Sequence, residues 1–199
     1  MSRLQKLLDE LQELEARVRE EIDRDAAKLG YKIQQGRIYF ESEVVQRHKA
    51  MAISIHHYLT RASWRAILTA PIIYSLILPL LLLDLFVYCY QFICFPIYGI
   101  PRIKRHPYFV FDRHQLRYLN PIERVHCYYC SYANGLLAYS VEVGARTEQY
   151  WCPIKHARHP SGSHGRYYNF VPYGDAEAYQ KNLKMLRDKL KTSESAEPM

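Results

Sequence analysis

Five cysteines in 199 residues are an odd number and too few for a disulfide scaffold. The chain also has no nucleophile elbow, no phosphate-cradling glycine loop, no HExxH helix and no kinase signature, so none of those reaction classes is indicated. Its first residues, MSRLQKLLDELQELEARVREE, interleave acids with bases and offer no uncharged apolar core. A cleavable secretory signal is not expected there, and the N-terminus is expected to stay on the side of synthesis. Mean hydropathy is slightly negative, which argues against a polytopic membrane protein. Hydrophobic residues make up 49% and charged residues 24%, which excludes a disordered or collagen-like chain.

What the chain does have is unevenly spread. Its 27 basic and 20 acidic residues leave a net charge of +7, a balance that favours anionic partners. Nearly all the strong hydrophobicity lies in residues 66–100, AILTAPIIYSLILPLLLLDLFVYCYQFICFPIYGI, where Asp84 is the only formal charge. An apolar run longer than about 18 residues is a candidate membrane segment. As one helix it reaches about 52 Å, more than a ~30 Å hydrocarbon core requires, yet it is too short for two full spans with a turn. Pro71 and Pro79 can each interrupt a helix, so a re-entrant hairpin and a single span both remain open. Arg47, Lys49, Arg61 and Arg65 precede the segment, and Arg102, Lys104, Arg105, Arg113 and Arg117 follow it. Basic flanks mark the cytoplasmic side, and two such flanks tilt the choice toward the hairpin with both chain ends in the cytoplasm. Asp84 either faces water at a bend or has a specific role.

Before that segment, residues 1–65 read as an N-terminal helical region. Leu4, Leu7, Leu11, Leu14 and Val18 follow a 3-4 rhythm, continued by Ile22, Ala26 and Leu29, and Gly30 closes the helix. The stripe packs on its own chain or forms a short coiled coil, which would give a protein partner or a homo-oligomer. Ser2 and Gln5 have capping-box spacing. Residues 31–40 read as a small hairpin or linker around Gly36. The stretch up to residue 65 is basic and aromatic, suited to lying at a membrane interface.

Residues 101–191 read as a compact α+β unit, followed by a polar tail over 192–199. Residues 108–111, 116–119 and 136–143 look like short strands, and Asp175 caps a last helix carrying Tyr179, Leu183, Leu186 and Leu190. Within this unit stand Cys127-x2-Cys130 and, 21 residues later, Cys152-x3-His156. Two thiolates from one tight turn and a second pair after a hairpin can close a tetrahedron, and Cys3His is a structural zinc set. Iron or an iron–sulfur cluster is the alternative metal centre. CDGSH-type iron–sulfur proteins also end a Cys3His set in Cys-x3-His, but with Cys-x-Cys first and a shorter gap. His126, His159 or His164 could replace His156. Tyr128, Tyr129, Tyr132, Tyr150 and Trp151 read as the aromatic packing of that site rather than a base-stacking surface, so nucleic acid is not the expected partner. Glu142, Arg146 and Glu148 read as a solvated face, and Cys89 and Cys94 as apolar packing residues.

The CxxC followed by WCPIKHA, with a hydrophobic segment before both, resembles uncharacterised bacterial membrane proteins. The resemblance covers the C-terminal half at most and implies no activity. The resulting expectation is an integral membrane protein of the α+β class. It would be a non-enzymatic zinc module facing the cytoplasm, in contact with the lipid bilayer and presenting an aromatic, basic surface to a protein partner. Two alternatives accompany it: a membrane-bound redox protein or enzyme using the same four residues, and a membrane-shaping scaffold.

Overall fold

The computed structural model describes residues 3–34, 37–158 and 160–192, so Ser2, Gly36, His159 and the tail beyond Thr192 lie outside the described residues. The chain is mostly helical, with one two-stranded sheet. The expected α+β metal-binding unit is therefore corrected to a helical one. Two compact units are formed, Met1–Ala62 with Asp112–Cys127, and Ser63–Phe111 with Tyr128–Met199.

In the first unit, α1 spans Arg3–Lys28. Strands β1 (Tyr31–Gln34) and β2 (Arg37–Phe40) pair antiparallel, with Tyr31 opposite Phe40 and Ile33 opposite Ile38. The basic stretch that follows is two short helices, α2 (Ser42–Ala50) and α3 (Ile55–Arg61), the latter capped by Ser54, whose hydroxyl accepts the His57 N–H at 3.3 Å. An aromatic series, Tyr31–Phe40–His48–Tyr118, tilted at its first contact and edge-on at the next two, ties the hairpin and α2 to the 112–127 segment.

The second unit contains α4 (Trp64–Ser75) and α5 (Ile77–Tyr98), which together count as one apolar helical run of 35 residues. Pro79 lacks the N–H that would bind the Ser75 carbonyl, which is why the ladder breaks at Leu76 without reversing the chain. The hairpin expected inside 66–100 is thus absent among the described residues. The reversal comes later. Gly99 takes φ 65°, the left-handed conformation that ends a helix, and the Ile100 N–H returns to the Phe95 carbonyl at 2.8 Å. The chain then folds back toward the middle of α5.

Helix α6 runs from Pro121 to Trp151 and swallows the expected strand over 136–143. Its start is a reciprocal box: the Glu123 N–H donates to Asn120 Oδ1 at 3.0 Å, and the Asn120 N–H donates to Glu123 Oε2 at 2.9 Å, with Pro121 in the first turn. A strand would have put Leu137, Tyr139, Val141 and Val143 on one face. The structure divides them, burying Tyr139 and Val143 with Leu136 and exposing Leu137 and Val141, as a helical period demands. Residues 108–111 and 116–119 form no strands either. Gly135 is no turn here. A Cβ at that position would come within 2.6 Å of the Tyr108 carbonyl oxygen, so glycine lets the returning segment touch α6. The core joins Phe95, Ile100, Ile103, Leu136, Tyr139, Val143 and Leu190. Leu190 belongs to α7 (Ala176–Thr192), which Asp175 caps by accepting the Ala178 N–H at 2.8 Å.

Candidate functional site

Cys127 and Cys130 stand on α6, half-buried and exposed, while Cys152 is exposed just past its end. Along a continuous helix the 22 residues from Cys130 to Cys152 correspond to about 33 Å. His156 lies beyond Cys152; its N–H donates to the Tyr167 hydroxyl at 2.7 Å and its ring stacks on Tyr167. The structure does not bring Cys130, Cys152 and His156 together. Among the described residues no group of three or more His, Cys, Asp or Glu is placed to hold a metal ion. His164, the proposed substitute, bonds through Nε2 to Glu148 at 2.9 Å.

The built polar site lies elsewhere, on the apolar helix. Arg105, in the returning segment, donates Nη1–H to Asp84 Oδ1 at 2.6 Å and Nη2–H to Oδ2 at 2.8 Å. Tyr132 on α6 donates its hydroxyl to the same Oδ2 at 2.9 Å. The guanidinium also covers the rings of Phe109 and Tyr139, 4.5 and 5.2 Å from their centroids. Two turns on, buried Gln91 donates to the Tyr139 hydroxyl and accepts the Ile103 N–H at 2.6 Å. Asp84 keeps 18% of its side-chain surface accessible and Arg105 keeps 36%. Both oxygens of the carboxylate are occupied by donors and its charge is matched, which is how a carboxylate becomes tolerable on an apolar helix. Its hydrogen bond to Asp84 pushes the Arg105 guanidinium still higher than usual. Burial, reinforced by the bond to Asp84, pushes the Tyr132 phenol up to about 12, and burial likewise raises Tyr139. The cluster thus carries no free base. It is a neutralised clamp joining α5, the returning segment and α6.

A second network replaces the expected solvated face. Arg146 is buried and donates to Glu142 at 2.9 Å and to the Pro101 carbonyl at 2.9 Å. Arg166 shares Glu142 at 2.9 Å and reaches Gln149 at 3.1 Å. Gln149 in turn donates to the Leu186 carbonyl and Arg187 donates to that of Tyr150. These bonds fasten α7 and the 153–170 loop to the end of α6.

The Asp84–Arg105 pairing was not legible in the sequence, where Arg105 is one of several flanking charges and Asp84 either faces water or has a specific role without a named partner. A clue was present: one acid in an apolar run, followed by a Gly-Ile-Pro turn and a basic cluster. No protein-family model, no curated protein and no solved structure matches this chain.

Proposed function

We propose that the chain is a membrane-anchored, non-enzymatic helical module whose body and N-terminal helix engage a protein partner. The observation that carries this reading is the surface of α4–α5. The run Trp64–Tyr98 is long and apolar enough to cross a membrane, and none of its most apolar window is buried within the chain. Ile67, Leu68, Ile72, Leu76, Leu78, Leu81, Leu82 and Phe86 expose between 51% and 70% of their surface. In water such a face would be a severe liability, and in lipid it costs nothing. About 20 residues cross a hydrocarbon core, so the 35-residue run is longer than one crossing needs. Its last part is covered on one side, because Gln91 and Phe95 are buried by the unit's own core. Asp84 turns inward to Arg105 and Tyr132, leaving the uncharged residues for the acyl chains. The basic residues on both sides favour a cytoplasmic body.

Alkaline carbonate extraction of membranes tests the anchor: the protein stays in the pellet, and its release to the supernatant overturns the reading. Reporter fusions at the two ends test the orientation: one crossing by α4–α5 puts the two ends in opposite compartments, and the same signal from both would mean that the run does not cross.

A further inference from the structure

From Lys6 to Asp25 every described side chain of α1 is exposed, including the apolar stripe Leu7, Leu11, Leu14, Val18 and Ile22. The helix is about 39 Å long, so the stripe is an uncovered seam rather than a patch. Lipid is a poor cover for it. Six basic residues against eight acidic ones give α1 a net negative charge, where a helix lying on an anionic bilayer needs a basic polar face.

We propose that the seam is covered by α1 of a second copy of this chain, running antiparallel. The charges beside the seam select that partner and that direction. With Leu11 and Val18 at one core position of the heptad and Leu7 and Leu14 at the other, Glu10 and Arg17 occupy the same flanking position one heptad apart, and Glu15 occupies the opposite flank. In an antiparallel pair Leu11 packs on Leu14 of the second copy and Leu7 packs on Val18, while Glu10 meets Arg17 twice by symmetry. In a parallel pair Glu10 would face Glu15 twice. Neither Glu10 nor Arg17 has an ion pair within the chain among the described residues, whereas Arg24 and Lys28 are already matched to Glu21 and Asp25. Both charges that the antiparallel pair uses are thus open to a partner.

Fewer than three heptads associate weakly in water. The pairing rests on the membrane anchor proposed above, which confines the copies to one surface and raises their effective concentration.

The test uses the full chain in lipid vesicles, with donor and acceptor fluorescent proteins fused at the C-terminus, and scores vesicle flotation separately. Glu10→Arg is expected to weaken energy transfer about tenfold in apparent affinity, since two attractive flanking contacts become repulsive. Arg17→Glu does the same, and the double exchange Glu10→Arg with Arg17→Glu restores transfer. Leu11→Asp abolishes it. Transfer strengthened by Glu10→Arg would establish the parallel pairing and overturn the proposal. A floating chain without transfer overturns the pairing alone. A chain that transfers in solution but does not float overturns the anchor alone, and one that does neither overturns both.

Discussion

Two helices of this chain leave apolar side chains uncovered, and they do so in opposite ways. On α1 the exposed leucines form one stripe among interleaved charges. On α4–α5 they cover most of the circumference, and the one acid, Asp84, is turned inward and paired. A stripe on a charged helix asks for another stripe, because only a protein can bury one face and leave the rest in water. An all-round apolar surface asks for lipid, because no single partner covers it. The same residue type, leucine, therefore points to different solvents according to what stands between its repeats.

The largest expected effect sharpens this contrast at Leu82, exposed on α5. Leu82→Arg places an unpaired charge on the lipid face and costs about 3 kcal/mol of insertion, read as protein lost from the carbonate pellet. Leu14→Arg on α1 leaves the pellet unchanged. If both variants behaved alike, the two helices would not differ in solvent.

Next comes the clamp. Arg105→Gln strands Asp84 with only Tyr132 as donor and is expected to destabilise the second unit by roughly 2–3 kcal/mol, measured as earlier protease cleavage or a lower denaturation midpoint. Asp84→Asn combined with Arg105→Gln recovers part of that loss, since the uncompensated charge is gone.

A smaller effect lies in alkali. The folded chain holds the Tyr132 proton up to about pH 12, while the unfolded phenol releases it near its ordinary value of about 10. The stability from this group is complete below pH 10 and disappears as pH climbs through 12. Titrating phenolate absorbance in the native protein and in Tyr132→Phe should show the difference in that window, and an ordinary titration of Tyr132 would mean that the phenol is neither buried nor bonded to Asp84.

The smallest effect belongs to the cysteines. Cys130→Ser is expected to change stability by less than about 0.5 kcal/mol, since the thiol is exposed and about 33 Å along α6 from Cys152. A large loss of stability together with lost metal would restore the four-ligand centre and demand a bent α6.

How much of this was readable in advance depends on whether an element carries its own pattern. Helix α7 announces itself through Asp175 and a regular leucine stripe, α1 through its heptads, and α4–α5 through composition. Helix α6 was hidden by Gly135, which looks like a turn in sequence and serves in the structure to admit the Tyr108 carbonyl. The box Asn120-Pro121-x-Glu123 was legible and outweighs that glycine, because it fixes the start of a helix that buried Leu136, Tyr139 and Val143 then extend. The expectation of a metal centre rested on the same reading of residues 136–143 as a strand. A CxxC and a Cys-x3-His can meet only if the chain between them turns back, and a continuous helix holds them apart. The clamp was illegible for another reason. Nothing local links Asp84 to Arg105 across 21 residues; only the reversal at Gly99 makes them neighbours.

That separation also sets an order of events during synthesis. The Asp84 carboxylate leaves the ribosome 21 residues ahead of its guanidinium partner, an interval of about 1–4 s at about 5–20 residues per second. Were α5 to enter lipid in that interval, its one acid would be unmatched, at a cost of about 3 kcal/mol until Arg105 arrives. Tyr132 closes the clamp later still. In the membrane reading, the residue that neutralises the anchor is therefore encoded outside it, and a ribosome stalled before Arg105 would leave an anchor whose one acid is still unmatched.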